Sequence, residues 1–367
     1  MEQKSSSMEI MVNNKIKKKF WKGKKVLITG HTGFKGSWLS LWLKTLSADV
    51  YGISLPTKKG DKNLFDLLKL KTIINNNFLD IRKKDKLKKK IEKIKPEIIF
   101  HLAAQPLVSE SYKFPEETIE TNVLGTINLL EICRKSNFIK NVIIITTDKV
   151  YENKETLKAY NENSRIGGYD PYSSSKAAVE LLTSSYKNSF FDNKKISIAT
   201  ARAGNVVGGG DWSKNRIIPD IIKAWQNKKK LKIRHPYSIR PWQHVLESLY
   251  GYILLAQKIN GNIKFSGAYN FGPKEGKSYK VIDILNLCRK KIKFSKVIVK
   301  SNKKHHETKI LKLNTKKTKK ILNFSSIWDT PTTIDKTISW FKNFYEGKNC
   351  KELCLKDIKN YEQSAKN

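Results

Sequence analysis

A tyrosine and a lysine four residues apart, Tyr172 and Lys176, are the pair in this 367-residue chain best suited to acid–base chemistry. Asp170 can cap a helix that Pro171 begins, and the spacing then places the phenol and the ammonium on one helix face. An isolated phenol has a pKa of about 10, and a fixed positive charge beside it favours the phenolate. The pair therefore predicts a base at neutral pH, although the same spacing is also common on surface helices.

Three polar residues that can complement this pair follow an apolar run upstream. The run Val142–Ile145 is typical of a buried strand, and Thr147, Asp148 and Lys149 come just after it. Residues at the carboxyl end of a parallel strand face the ligand crevice, so Thr147 can hydrogen-bond a hydroxyl that Tyr172 deprotonates. A simple dehydrogenase has no need of Asp148. Its carboxylic acid suits loss of water, because a departing hydroxyl must be protonated.

A glycine triplet lies directly after the first apolar run of the chain. Gly30, Gly33 and Gly36 have the spacing Gly-x-x-Gly-x-x-Gly and precede a helical pattern. Glycine permits a tight turn and a close backbone approach, and the helix N-terminus that follows can face a pyrophosphate. Alone, such a triplet is also typical of an ordinary strand-to-helix turn. Its position at the first strand of an alternating chain favours a dinucleotide site.

The acid that often binds the adenosine ribose about 20 residues further on is missing. The region 52–56 carries no Asp or Glu, and Lys58 and Lys59 follow it, so the local sequence leaves NAD and NADP open. Asp80 and Ile81, after a third predicted strand, are candidates for an adenine contact. An ordinary loop aspartate would have the same appearance.

The chain that must position these residues alternates between short apolar runs and helical patterns from Lys24 onward. Such repeats predict a Rossmann-type α/β fold, a doubly wound parallel sheet with helices on both faces. After Gly204 the pattern changes and predicts a smaller α/β substrate lobe. The runs predicted as strands are Val26–Ile28, Val50–Ile53, Ile98–Phe100, Val142–Ile145 and Ile196–Ala199. The predicted units are a flexible basic extension (1–22), a dinucleotide-binding domain (23–204), a substrate lobe (205–347) with some chain crossing back, and a tail (348–367).

The formal net charge of +39 is the most unusual bulk property of the chain. Its basic runs, such as 83–90 and 316–320, are scattered and lack interleaved aromatic residues. This favours a solvated lysine-rich surface over a nucleic-acid or membrane site, while a positive field still suits an anionic substrate. Four cysteines without paired spacing predict free thiols and no metal site. No signal peptide or membrane-length apolar run is visible, which predicts a cytoplasmic protein.

Longer motifs in the chain resemble those of the CDP-glucose 4,6-dehydratases, within the NAD-dependent epimerase/dehydratase branch of the extended short-chain dehydrogenase/reductase family. The resemblance covers about residues 23–345. The pair Asp148-Lys149 differs from the Asp-Glu that is usual in dTDP-glucose dehydratases. The motifs are residues 30–38, 101–108, 146–153, 202–212 and 239–247.

The resemblance implies a homo-oligomer, a dimer or tetramer, that uses bound NAD to convert a nucleotide sugar, CDP-glucose, to its 4-keto-6-deoxy derivative. The C4 hydroxyl is oxidised, water is lost across C5 and C6, and the hydride returns to C6. The catalytic residues implied are Thr147, Asp148, Lys149, Tyr172 and Lys176. The cofactor residues implied are Gly30, Gly33, Phe34, Lys35, Gly36, Asp80, Ile81, Leu102, Ala103, Ala104, Gln105, Thr121, Tyr172 and Lys176. Those implied for the substrate pyrophosphate are Asn205, Arg216 and Arg240.

Several alternatives stay open from the sequence. Lys149 stands where related enzymes have a glutamate base, and it suits either proton abstraction at C5 or stabilisation of the enolate. Arg216 or Arg240 could instead form a surface salt bridge. Ser109 and His235 replace an arginine and an asparagine that are usual in the family. Another nucleotide-sugar dehydratase of the family is an alternative, as is a nucleotide-sugar 4-epimerase, which would share Thr147 and the Tyr–Lys pair. A non-catalytic NAD-binding regulator is a more distant alternative.

Overall fold

The computed structural model describes residues 15–274, 276, 278–293, 297–299 and 308–366. Within them the strands are β1 (Lys25–Thr29), β2 (Asp49–Ser54), β3 (Asn75–Phe78), β4 (Ile98–His101), β5 (Asn141–Ile145), β6 (Ser197–Ala203), β7 (Val206–Val207), β8 (Leu231–Ile233), β9 (Ile239–Arg240), β10 (Gln243–His244), β11 (Gly267–Phe271), β12 (Tyr279–Lys280) and β13 (Val297–Val299).

The α-helices surround these strands. They are α1 (Lys18–Trp21), α2 (Phe34–Thr45), α3 (Leu64–Leu67), α4 (Leu70–Ile73), α5 (Lys84–Ile94), α6 (Val108–Ser111), α7 (Pro115–Ile119), α8 (Gly125–Lys135), α9 (Pro171–Tyr186), α10 (Asp192–Lys194), α11 (Ile217–Gln226), α12 (Val245–Ile259), α13 (Val281–Arg289), α14 (Lys316–Leu322), α15 (Thr330–Tyr345) and α16 (Cys350–Ser364). In the described ranges, no helix is both long and apolar enough to span a bilayer.

One parallel sheet of seven strands forms the centre of the fold. Its strand order is β11-β6-β5-β4-β1-β2-β3, and each neighbouring pair runs in the same direction. Strands β1, β4, β5 and β6 are almost entirely buried, as expected for a sheet covered on both faces. The chain changes its direction of travel across the sheet between β1 and β4, and ligands bind at the carboxyl ends of strands at such a switch point. The predicted doubly wound α/β fold is confirmed.

Apart from β11, the described strands after β6 form short two-stranded sheets. β7 pairs with β10, β9 with β12, and β8 with β13. β11 lies within the range predicted as the substrate lobe, yet it pairs with β6 and extends the main sheet. The chain therefore returns to the first domain after α12, because β11 places Tyr269 and Phe271 in the core of the main sheet.

The two ends of the described chain differ from the predicted loose extension and tail. Residues 1–14 lie outside the described ranges, but Trp21 at the end of α1 is fully buried and stacks on Phe100 of β4, with 6.2 Å between ring centroids. The predicted tail forms α16, whose Tyr361 is also fully buried. The described parts of both segments pack against the core, because a few of their apolar residues have partners that lie far away in sequence.

A buried carboxylate on α12 fastens α16 to the core. Glu247 accepts a hydrogen bond from the Tyr361 hydroxyl at 2.6 Å and from the backbone N–H groups of Ile327 and Trp328. Burial raises the pKa of Glu247 to about 7, against the opposing effect of these hydrogen bonds. The cluster ties α12, α16 and the segment before α15 into one unit.

Replacing Tyr361 with phenylalanine is expected to lower the free energy of unfolding by about 1–3 kcal/mol, because one acceptor position of a buried carboxyl group loses its donor. Urea denaturation followed by circular dichroism measures the change. Tyr345→Phe is the matched control, since that hydroxyl forms only a long 3.4 Å contact with the indole N–H of Trp212. Equal stability of the two variants would contradict the assigned role of Tyr361.

Candidate active site

A cleft of about 830 Å³ opens at the carboxyl ends of the central strands. It is bounded by the turn after β1, the loop after β4, the residues after β5, helix α9, and the segments around α11 and β9. All the residues predicted for catalysis, cofactor and substrate line it: Gly30, Gly33, Phe34, Lys35, Gly36, Asp80, Ile81, Leu102, Ala103, Ala104, Gln105, Thr121, Thr147, Asp148, Lys149, Tyr172, Lys176, Asn205, Arg216 and Arg240. The structure thus brings into one cavity groups that are up to about 200 residues apart in sequence.

The glycine turn after β1 allows the backbone segments on this side of the cleft to come close together. A Cβ atom added at Gly30, whose φ is +76°, would lie 2.6 Å from the backbone nitrogen of Ala103. One added at Gly36 would lie 2.2 Å from the carbonyl oxygen of Gly30. Helix α2 begins at Phe34 without a side-chain cap, so its first N–H groups remain for an anion. These features fit the pyrophosphate of a dinucleotide.

Gly36→Ala is expected to remove bound dinucleotide, because the new methyl group must displace the Gly30 carbonyl and deform the turn. Nucleotide released by acid from the purified protein, quantified by chromatography, measures the loss. Ser40→Ala, on the same helix α2, is the control: Ser40 is buried outside the cleft lining, and its hydroxyl lacks a hydrogen-bond partner in the described structure. Full nucleotide content in the Gly36 variant would contradict this role of the turn.

Asp80 and Ile81 line the cleft just after β3. Asp80 forms an ion pair with Arg82 at 2.7 Å. Burial alone would raise the pKa of Asp80, but the hydrogen bonds from Arg82 outweigh it and lower the pKa. At the end of β2 the side chain of Ser54 hydrogen-bonds Thr32 at 2.7 Å, in the position where an acidic residue is often found.

Helix α9 positions Tyr172 and Lys176, and its start follows the predicted pattern. The Asp170 side chain caps the helix by accepting from the Ser173 N–H at 2.9 Å, and Pro171 occupies its first turn. Tyr172 and Lys176 are 9% and 6% exposed. The Lys176 ammonium donates to the carbonyl oxygen of Ile145 at the end of β5, 3.2 Å away.

The protein's own side chains do not produce the phenolate form of Tyr172 that the sequence predicts. Burial raises the pKa of Tyr172 to about 12, and a hydrogen bond with Thr147 and the charge of Arg216 only partly oppose this. Burial also lowers the pKa of Lys176 to about 8. Tyr172 is therefore neutral at pH 7 in this structure, because desolvation of the phenol outweighs the positive charges around it.

Asp148 is a deeply buried acid of the cleft. Its carboxyl group is 3% exposed, with Oδ1 accepting from the Thr147 hydroxyl at 3.1 Å and Oδ2 lacking a hydrogen-bond partner in the described structure. Burial raises its pKa, while Lys149, Arg240 and Lys35 act in the opposite direction. A raised pKa keeps more of the group protonated, and a protonated carboxyl with a free oxygen can donate a proton.

Lys35 enters the catalytic part of the cleft from α2, and the sequence did not foresee this. It had been assigned to the cofactor, yet its charge interacts with Asp148, Lys176 and Arg216. Burial lowers the pKa of Lys35 to about 7, and its ammonium lies 3.4 Å from the Tyr252 hydroxyl. No local pattern could have indicated this, since Lys35 is 113 residues from Asp148.

The residues predicted for the pyrophosphate have different environments. Arg240 is buried and donates to the carbonyl oxygens of Ile239, Thr308 and Lys309. Arg216 is 37% exposed and forms an ion pair with Asp211 at 3.3 Å. Arg216 is therefore the more accessible of the two guanidinium groups.

Three further residues line the cleft. Arg234 was not predicted from the sequence, and Ser109 and His235 were noted only because they differ from the residues usual in the family. Arg234 lines the cleft after β8 and donates to the carbonyl oxygen of Asn215 at 3.1 Å. Ser109, in the position of a usual arginine, accepts from the Asn215 side chain at 3.3 Å, and His235 also lines the cleft. Arg234 therefore adds a positive charge near Ser109, where the usual arginine is missing.

The doubly wound sheet, the glycine turn and the Tyr-x-x-x-Lys helix together define the class of protein as an extended short-chain dehydrogenase/reductase. Residues 27–340 match the family model described as GDP-mannose 4,6 dehydratase. The chain belongs to this family of nucleotide-sugar dehydratases.

Individual relatives agree with that assignment. The chain is 43% identical to the CDP-glucose 4,6-dehydratase of Salmonella typhimurium, over 94% of this chain and 98% of the relative. Among solved structures, it resembles dTDP-glucose 4,6-dehydratase from Bacillus anthracis in complex with NAD, with a TM-score of 0.74, 20% identity and coverage of 89% and 98%. It also resembles a UDP-glucose 4-epimerase from Stenotrophomonas maltophila with bound NAD, with a TM-score of 0.76, 18% identity and coverage of 89% and 100%. These two structures share the fold.

Proposed function

We propose that the protein converts CDP-glucose to CDP-4-dehydro-6-deoxyglucose and water with NAD as a bound cofactor. The observation that carries the proposal is the buried, raised-pKa carboxyl of Asp148 beside Thr147 and Tyr172. An epimerase or simple dehydrogenase has no use for such an acid, whereas elimination of a hydroxyl requires one. The 43% identity to an enzyme of this name supports the choice of substrate.

The cofactor proposal rests on the turn that begins at Gly30. The close backbone approaches at Gly30 and Gly36 and the uncapped start of α2 fit a dinucleotide pyrophosphate, and solved structures of the same fold are complexes with NAD. When bound, NAD supplies a hydride acceptor for C4 and a hydride donor for C6. The protein contributes the cradle and, through Lys35 and Lys176, positive charges beside it.

Tyr172 takes the proton of the C4 hydroxyl while Thr147 holds that hydroxyl in place. Tyr172 must be a phenolate to accept this proton, and the ammonium of Lys176, together with the positive charge that a bound oxidised nicotinamide would add, stabilises that form. A 4-keto group then acidifies the C5–H bond. Loss of that proton is followed by departure of the C6 oxygen as water, which takes its second proton from Asp148. Lys149 follows Asp148 in the chain and also lines the cleft. It serves the C5 position, either as the base that takes the C5 proton or as the electrostatic partner of the enolate.

The anionic end of the substrate is proposed to lie against the cations of the other wall. Arg216 and Arg234 offer guanidinium groups, which suit phosphate geometry, and Asn205 adds an amide. Arg240, committed to backbone carbonyls, is expected to contribute charge more than direct hydrogen bonds. This arrangement explains how a site lacking the usual arginine at position 109 can still hold a pyrophosphate.

Turnover with CDP-, dTDP-, GDP- and UDP-glucose tests the proposal. Product is measured by the base-dependent absorbance of 4-keto sugars, and we expect it with CDP-glucose at a rate at least about tenfold above the others, equivalent to about 1.4 kcal/mol of transition-state discrimination. A product that keeps its C6 hydroxyl and is inverted at C4 would instead establish an epimerase. Analysis of the released nucleotide separates NAD from NADP.

We also propose that the enzyme works in the cytoplasm as a dimer or tetramer. Leu124 and Leu181, 51% and 61% exposed, are large apolar side chains that self-association would cover. Sedimentation equilibrium gives the mass of the assembly, and a monomer at assay concentrations would refute this part.

A further inference from the structure

A buried acid on α9, Glu180, lies one helical turn beyond Lys176 and outside the sets of residues assigned above. It is 4% exposed and accepts three hydrogen bonds. The donors are the Thr146 hydroxyl at the end of β5, and Thr200 at 2.7 Å and Arg202 at 2.8 Å, both on β6. A single carboxylate thus joins the helix that carries Tyr172 and Lys176 to the ends of two central strands.

The charge of this carboxylate is buried together with that of Arg202. The side chains of the pair are 3% and 2% exposed. Arg202 also donates to the Tyr151 hydroxyl at 2.9 Å, and Tyr151 in turn donates to Asn270 at 2.6 Å. The pair is held within a hydrogen-bonded network, so the negative charge of Glu180 has a fixed position in the buried interior.

Lys176 is the ionisable neighbour that this charge affects. Residues four apart on a helix are neighbours, with about 5–6 Å between Cβ atoms. Glu180 raises the pKa of Lys176 against the larger, lowering effect of burial. Lys35 on α2 and His101 on β4 also interact with Lys176, but burial lowers the pKa of His101 to about 3, so His101 stays neutral at assay pH.

We propose that Glu180 is a positioning residue: it fixes α9 against the ends of β5 and β6 and keeps Lys176 in its ammonium form inside the buried site. The inference extends the proposed function, because a protonated Lys176 is what stabilises the Tyr172 phenolate. Glu180 acts through Lys176 and Thr146 and does not touch the substrate.

Competitive labelling with trace acetic anhydride over a pH series tests this without any need for turnover. The labelling midpoint of Lys176, read by mass spectrometry, is expected at about pH 8 in the wild type. In Glu180→Gln we expect the midpoint to move down by about one to two units, because the stabilising charge is gone and Arg202 is left uncompensated. Lys35, in the same spectra, reports its own titration separately.

Two variants separate the effect of the Glu180 charge on Lys176 from the effect of losing a buried helical side chain. Glu180→Asp keeps the charge and shortens the side chain, so the Lys176 midpoint should stay near the wild-type value while kcat falls. Glu247→Gln removes a comparable buried helical carboxyl away from the cleft and should lower Tm without moving the Lys176 midpoint. If Glu180→Gln fails to fold, the double variant Glu180→Gln/Arg202→Gln, which removes both charges of the pair, should still lower the midpoint, though by less.

An unchanged or raised Lys176 midpoint in a folded Glu180→Gln variant would overturn the inference and leave Glu180 a structural residue. In the assay, the alkaline limb of the kcat profile should move down with the labelling midpoint. A wild-type protein with no activity on any nucleotide sugar, but with the expected labelling shift, would refute the proposed function and leave this inference standing.

Discussion

Replacing Tyr172 with phenylalanine is expected to lower turnover by about 10²–10⁴-fold, the usual contribution of a positioned general base. The phenol is 9% exposed and lies with Thr147 in the cleft, so its removal leaves the C4 hydroxyl without a proton acceptor. The fold should be unaffected, because the aromatic ring remains. Steady-state formation of 4-keto sugar from CDP-glucose measures the effect.

The control for this experiment is Tyr169→Phe, three residues earlier. The Tyr169 side chain is 75% exposed and lies outside the cleft lining, so its activity should match the wild type. A Tyr172→Phe enzyme within threefold of wild-type turnover would remove Tyr172 from the mechanism.

The pKa values of this pair predict the shape of the pH dependence. Catalysis needs a protonated Lys176, and since burial lowers its pKa to about 8, activity should decline as the pH rises through about 8. Burial raises the pKa of Tyr172 to about 12 in the nucleotide-free protein. The phenol should therefore titrate at lower pH once the positive charge of a bound oxidised cofactor is added. Titration of the tyrosine absorbance with and without NAD measures this shift.

The second large effect is expected for Asp148→Asn, which should lower turnover by about 10²–10³-fold while sparing the first half of the reaction. Asparagine keeps the shape of the side chain and its contact with Thr147, but it has no proton to give to the departing C6 oxygen. Oxidation at C4 can still occur. A single-turnover experiment should therefore show reduced nicotinamide accumulating, with 4-keto-6-deoxy product appearing slowly.

The raised pKa of Asp148 also predicts how the rate of the elimination step depends on pH. Because burial raises the pKa, the acid form of Asp148 is depleted only as the pH rises through that raised value, so the elimination step should be fastest on the acid side. Asp329→Asn is the control, since Asn also caps a helix well and Asp329 caps α15 outside the cleft. Wild-type rates of 4-keto sugar formation in Asp148→Asn, without accumulation of reduced cofactor, would contradict the assignment of Asp148 as the acid for the departing C6 oxygen.

The fold was largely predictable because its signals are local. Apolar runs such as Val142–Ile145 are long enough to be recognised as buried strands, and Gly30, Gly33 and Gly36 mark the first turn of the sheet. β11 was harder to place, since Gly267–Phe271 follows a helix-rich stretch and its pairing with β6 depends on a strand some 70 residues away. Helix α16 was missed for a similar reason: Tyr361 is buried by contacts with α12.

For the candidate site, the sequence by itself determined the identity and local spacing of Tyr172, Lys176, Thr147 and Asp148. Helix periodicity and strand ends act over a few residues, so these could be read without coordinates. Only the tertiary structure decided their protonation. Desolvation and Coulomb interactions depend on distance in space, and they raise the pKa of Asp148 and Tyr172, bring Lys35 beside the catalytic carboxyl, and bury the Glu180 charge one turn from Lys176.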